Sequence, residues 1–126
     1  MKTYEGGCHC GLVKFEFEGP HSLTALECNC SICKMSGFLH VIVTKEQLRL
    51  ETDVHDLNTY QFNTYSAQHI FCPKCGIKSF YVPRSHPEGF SINLRCLSNI
   101  DFDKVTIETF DGENWEKSIS RLYEQL

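Results

Sequence analysis

Cysteine is the residue in this chain best suited to chemistry. It occurs eight times, and seven of the eight fall in three tight groups. Cys8-His9-Cys10 is a C-x-C pair followed by Gly11. Cys28-Asn29-Cys30-Ser31-Ile32-Cys33 places three cysteines in six residues. Cys72-Pro73-Lys74-Cys75 is a C-x-x-C pair followed by Gly76, and Cys96 stands alone. Cysteines one or two residues apart can direct both sulfurs at one ion. A glycine just after them lets the backbone turn its N–H groups toward the thiolates. The two pairs together offer four thiolates, the number that closes a tetrahedral structural zinc site. Such a site would tie the N-terminal strand to the middle of the sheet, and its metal would contribute to folding.

The triplet is one ligand short of that. Three protein ligands and a vacant fourth position form the arrangement of a catalytic zinc, where water or a substrate atom reaches the ion. A thiol bound there is held as thiolate, the form that attacks a carbonyl carbon. Three thiolates also donate much charge to the ion and weaken it as a Lewis acid, which favours capture of a thiol over activation of water. The spacing leaves two other readings open. One is a second structural site completed by Cys96 or a histidine. The other is an iron–sulfur cluster, since soft thiolates suit both metals. No histidine is expected as a ligand. His9, between two ligands, reads as exposed. His40, in an apolar strand, reads as a satisfied core residue. His69, just before the C-x-x-C pair, reads as its support. His86 faces a cleft or solvent. Cys96 reads as a small buried apolar residue within a strand.

The elements that must position these groups read mostly as short strands with turn signals between them. Val13–Glu18 alternates, with Val13, Phe15 and Phe17 on one face, and Gly19-Pro20 ends it. Further strands are expected at Phe38–Thr44, Asn58–Thr64, Gln68–Phe71, Lys78–Val82, Phe90–Leu97 and Val105–Phe110. Helical periodicity is scarce. One turn is expected over Ser31–Gly37, and a short C-terminal helix over Trp115–Leu126, with Trp115, Ile119, Leu122 and Tyr123 on one side. The stretch Pro83–Gly89 (PRSHPEG) reads as a loop.

The chain of 126 residues suits one domain, residues 1–126. Hydrophobic residues make up 41% and charged residues 22%, ordinary values for a soluble globular protein. Twelve Lys and Arg against 16 Asp and Glu give a net charge of −4 with no basic block, so no nucleic-acid partner is expected. The opening MKTYEGGCHC has no apolar core or cleavage site of a secretory signal, and no apolar run reaches membrane-span length. A cytoplasmic, reducing location follows as the expectation. There, clustered cysteines bind metal or do chemistry more often than they pair.

Taken together, the motifs resemble a known family. Gly7-Cys8-His9-Cys10-Gly11, with the Val13/Phe15 strand behind it, is similar to the opening of the glutathione-dependent formaldehyde-activating enzymes, which include the centromere protein V-like proteins. The triplet, with Lys34 and Gly37 after it, is similar to their second motif, and His69-Ile70-Phe71-Cys72-Pro73-Lys74-Cys75-Gly76 to their third. Pro83-Arg84-Ser85-His86-Pro87 and Asn93-Leu94-Arg95-Cys96-Leu97 also match, especially the centromere protein V-like branch. The resemblance runs from about Gly6 to Leu97 with all seven motif cysteines in place.

The resemblance implies a mainly β fold, the β-tent, with antiparallel sheets around zinc-binding cysteine loops. It implies two zinc ions: a structural one on Cys8, Cys10, Cys72 and Cys75, and a catalytic one on Cys28, Cys30 and Cys33. The implied activity is a carbon–sulfur lyase reaction, addition of glutathione to formaldehyde to give S-hydroxymethylglutathione. Arg84 or Arg95 would then bind a glutathione carboxylate through a two-point contact, and Asn93 and Ser36 would supply hydrogen bonds. The alternatives are a lyase on another thiol and a non-catalytic zinc module that binds a protein.

Overall fold

In the computed structural model the described residues are 1–125, without the side chains of residues 121, 124 and 125. The chain runs through β1 (Lys2–Gly7), β2 (Lys14–Gly19), β3 (Thr24–Cys28), α1 (Ser31–Ser36), β4 (Leu39–Thr44) and β5 (Leu48–Leu50). It continues through β6 (Asn58–Tyr60), β7 (His69–Phe71), β8 (Phe80–Tyr81), β9 (Gly89–Asn93), β10 (Thr106–Phe110) and α2 (Trp115–Gln125). The fold is mainly β, as expected, with short helices between and after the strands.

Strand alternation explains the core. In β2, Phe15 and Phe17 point inward while Lys14 is exposed and Glu16 and Glu18 are half-exposed. Across from them, Tyr4 stacks on Phe17 with ring centroids 5.2 Å apart, and Phe15 meets Phe80 edge-on at 6.1 Å. Each such ring contributes roughly 1.5–3 kcal/mol through burial, so the aromatic layer carries much of the stability. β1, β2 and β5 form one sheet, and β10, β3, β4, β9 and β8 form a second. β6 and β7 make a separate ribbon. Bridges Gly6↔Leu97 and Gln68↔Val82 connect these units.

The expected strands are present; Val13–Glu18 is shifted by one residue to β2, and the others are shorter. Asn58–Thr64 pairs only over β6, because Asn63 and Tyr65 take positive φ and turn the chain away. Phe90–Leu97 ends as a strand at Asn93, whose side chain accepts from the Arg95 N–H and starts a 3₁₀ turn at Leu94–Cys96. Cys96 is therefore in a turn, not in a strand. Strands β1, β3 and β5 had no distinct sequence signal. The sheets are mixed rather than wholly antiparallel, because β10 pairs parallel with β3. Parallel pairing needs a long crossover, and here residues 29–105 lie between the two strands. The expected C-terminal helix is α2, and its last expected residue, Leu126, lies outside the described residues. No described helix is long and apolar enough to cross a membrane.

Candidate metal centre

The four paired cysteines converge. Cys8, Cys10, Cys72 and Cys75 bring their sulfurs within 4.8 Å of one another, with Cys10 Sγ 3.6 Å from Cys8 and 3.5 Å from Cys72. Each pair sits in a tight turn closed by a glycine of positive φ, Gly11 at 84° and Gly76 at 75°. Backbone N–H groups then reach the sulfurs: Val13 N donates to Cys8 Sγ, and Lys74 N and Cys75 N donate to Cys72 Sγ. The Ile77 N–H lowers the Cys75 thiol to about 6. Four sulfurs, held by donors and partly ready to ionise, suit one tetrahedral thiophilic ion.

The triplet forms a second group, its three sulfurs also within 4.8 Å. Cys28 is the last residue of β3. Cys30 stands just before α1 in extended backbone, and Cys33 follows inside the helix. One helical turn separates these two, so both face the same side. Among the described residues, no further His, Cys, Asp or Glu atom joins the group at this spacing. Cys96 lies on the other side: burial raises its thiol to about 11, with Cys8 and Cys75 as its charged neighbours. It completes neither group.

Three sulfurs this close cannot all ionise alone. Hydrogen bonds from Cys28 and Cys33 hold the Cys30 thiol far below its ordinary value, while contact with Cys28 and Cys30 pushes Cys33 far above. A divalent cation reverses this, because it stabilises all three thiolates together. Beneath them lies a buried network. His40 Nε2 is 3.2 Å from Cys33 Sγ, and its Nδ1 is 2.9 Å from Ser91 Oγ and 3.3 Å from the Tyr81 hydroxyl. Burial lowers His40 to about 4, so it is neutral. Ser91 and Tyr81 both have O–H donors to offer Nδ1, so the imidazole proton belongs on Nε2, donating to the sulfur. His40 is thus a satisfied core histidine, as expected, and it also orients a ligand.

The triplet opens on a cavity of about 1190 Å³. His40, His69, Tyr81, Phe62, Arg84, Trp115 and Glu116 line it together with the three cysteines. His69 therefore faces the triplet's cavity and does not support the Cys72/Cys75 pair. Of the four residues expected to bind substrate, Arg84 lines the cavity, while Ser36, Asn93 and Arg95 do not. Ser36 Oγ donates to the Ile32 carbonyl of its own helix. Asn93 bonds Lys78 O and Arg95 N, and Arg95 Nε donates to Gly37 O at the end of α1. Arg84 lies 3.8 Å over the Trp115 ring and pairs with Glu116 at 2.7 Å.

The turn after β10 supports the triplet in a way the spacing did not show. Asn29 Nδ2 donates to Asp111 Oδ1, and Glu113 N donates to Asn29 Oδ1. Between them, Gly112 lies so close that an added Cβ would overlap Cys28 Sγ and sit 3.1 Å from Cys30 Cβ. Gly112→Ala must therefore displace Cys28. Zinc affinity at the triplet should fall about 10- to 100-fold, the usual cost of disturbing a ligand's support. Chelator competition on the variant, with the four-cysteine site as internal control, measures it. Unchanged affinity would show that this turn does not hold the ligand in place.

Comparison with known proteins agrees with this geometry. The pattern defining the family described as "Glutathione-dependent formaldehyde-activating enzyme" matches residues 3–116. A Halomonas elongata protein provisionally named as a glutathione-dependent formaldehyde-activating enzyme is 50% identical over 33 residues, which is 26% of this chain and 21% of that protein. The crystal structure of a Rhodobacter sphaeroides protein superposes with a TM-score of 0.70 at 32% identity, covering 82% of this chain and 99% of that one. With seven cysteines gathered in two groups and the pattern spanning most of its length, the chain belongs to the glutathione-dependent formaldehyde-activating enzyme family.

Proposed function

We propose that the protein binds zinc at both cysteine groups and catalyses the addition of a small thiol to formaldehyde, with glutathione as the thiol and S-hydroxymethylglutathione as the product. The observation that carries this reading is the triplet: three converging sulfurs, joined by no fourth donor among the described residues, on the wall of a large cavity. Pockets for drug-sized ligands run to roughly 300–1,000 Å³, so this one has room for a tripeptide. All eight cysteines are free, which fits a reducing, cytoplasmic setting.

Cys28, Cys30 and Cys33 would hold the catalytic zinc, and Cys8, Cys10, Cys72 and Cys75 the structural one. Zinc at the triplet would keep an incoming thiol in its nucleophilic thiolate form. The chain's own residues do the rest. His40 steadies the Cys33 sulfur by donating to it. The cavity walls bring thiol and aldehyde together, replacing a bimolecular encounter with an oriented one.

Arg84 lines the cavity with Lys34 and Lys117 and alone of the three has the fork for a two-point contact with a substrate carboxylate; Glu116 occupies it for now. Glu116 is 78% exposed, and such pairs are worth about 0.2–1 kcal/mol. A glutathione carboxylate can therefore displace it. Glu116→Gln should lower KM for glutathione by about threefold and leave kcat unchanged, because it removes uniform competition. If KM does not move in Glu116→Gln or Arg84→Ala, the carboxylate is read elsewhere and a different thiol becomes the better substrate.

Exchange NMR of glutathione and formaldehyde, with and without zinc-loaded protein, tests the function itself. Faster interconversion with S-hydroxymethylglutathione supports it. No acceleration, with both metals confirmed, would overturn it and favour another thiol substrate or a protein-binding module.

A further inference from the structure

One group on the cavity wall has no part in holding the metal. The His69 ring is sandwiched between Tyr81, at 5.1 Å and 14° between planes, and Phe62, at 5.4 Å and 21°. Stacking on both faces fixes the ring plane and leaves only its edges for hydrogen bonds. One edge is used: His69 Nδ1 is 2.7 Å from Lys78 Nζ. The other nitrogen, Nε2, has no partner among the described residues. Yet no fully buried side-chain nitrogen or oxygen among them lacks one. Nε2 therefore reaches accessible space, and the space His69 lines is the triplet's cavity.

Lys78 sets the tautomer. Its ammonium lies 3.9 Å over the Tyr81 ring and 5.0 Å over the Phe38 ring, contacts that sustain a cation away from water. An ammonium has only donors. So Lys78 gives a proton to Nδ1, and the neutral His69 carries its own proton on Nε2, facing the cavity. Burial lowers His69 to about 4, which keeps the ring neutral, and lowers Lys78 to about 8, which makes its proton easier to give up.

We propose that His69 is the proton donor to the aldehyde oxygen, with Lys78 as the positioning residue that holds its tautomer and replaces its proton. This inference rests on the thiol-addition reading and assigns that reaction its general acid. The thiolate sulfur forms a bond to the aldehyde carbon as the carbonyl π pair moves onto oxygen. That oxygen takes the Nε2 proton while Nδ1 takes one from Lys78. His69 ends neutral in the opposite tautomer, and Lys78 ends as a neutral amine. The proton released when the next thiol ionises returns to Lys78 through solvent, so the net reaction is thiol plus aldehyde to hemithioacetal.

The test uses zinc-loaded, full-length protein with ¹⁵N-labelled histidine. The wild type should show His69 as the Nε2–H tautomer, with Nδ1 accepting a hydrogen bond. Lys78→Met should release that preference, and Lys78→Arg, which keeps a donor but does not surrender it, should retain it. In exchange kinetics, His69→Gln should lower kcat by about 100-fold or more, the usual scale of general acid catalysis. KM for the thiol should stay within about twofold. Lys78→Arg should lower kcat despite the retained tautomer, a result that a purely structural role would not give. An Nδ1–H tautomer in the wild type overturns the proposal whether or not any variant folds. Unchanged kcat in His69→Gln, with active wild type, overturns the relay alone. Inactive wild type overturns the thiol-addition reading, and the relay falls with it.

Discussion

Replacing Cys33 by alanine should reduce the zinc content from two ions per chain to one, abolish thiol addition and leave the fold standing. Cys33 is buried, but its side chain is small and sits in a short helix outside the aromatic core. Removing its sulfur leaves a minor gap and takes the acceptor from the buried His40 Nε2–H, together about 1–3 kcal/mol. The functional loss is far larger, because two thiolates cannot hold the ion that organises the reaction. Activity should drop by about 10³-fold or more. Metal analysis and thermal melting on the same sample check both halves. A variant that unfolds would show the triplet to be a second structural site.

Cys72→Ala should have the opposite profile. Cys72 is fully buried within the core cluster, and its sulfur accepts two backbone N–H groups and contacts Cys10. The group it completes joins the loop after β1 to the turn after β7, two parts of the chain far apart in sequence. Structural zinc in small domains contributes on the order of 10 kcal/mol of apparent folding energy, much of a typical domain's stability. The variant should be largely unfolded at 25 °C, or melt at least about 15 °C lower. Strong chelation of the wild type should do the same. A melting temperature within a few degrees of wild type would show that the site is not structural.

Much of this was legible in the residues, for a physical reason. Metal sites of closely spaced cysteines are local in sequence, so Cys8/Cys10, Cys72/Cys75 and the triplet announce themselves, down to the glycines that must turn behind the pairs. Phe15 and Phe17 likewise show their strand by alternation. What remained hidden depends on distant contacts. β10 has mostly exposed residues and, among the described residues, pairs with β3 alone, far away in sequence. Gly112 reads as an ordinary turn glycine until Cys28 is placed against it. His69 lies beside the C-x-x-C pair in sequence, but its side chain leaves β7 toward the other metal group. His40 was the available clue, since a polar residue inside an apolar strand needs a partner once it is buried. Asn93 and Arg95 share a motif with Cys96 yet serve the 3₁₀ turn and the end of α1.

The proposed function requires one metal enclosed by protein sulfur and the other open to a thiol. Cobalt substituted for zinc reports this directly, because its absorption changes with each bound sulfur. Two cobalt ions per chain are expected. Glutathione should strengthen the sulfur-to-cobalt band of one of them and leave the other unchanged, and Cys33→Ala should remove the responding ion. A spectrum that glutathione does not alter, with two ions present and both already four-coordinate by sulfur, would rule out an open second site.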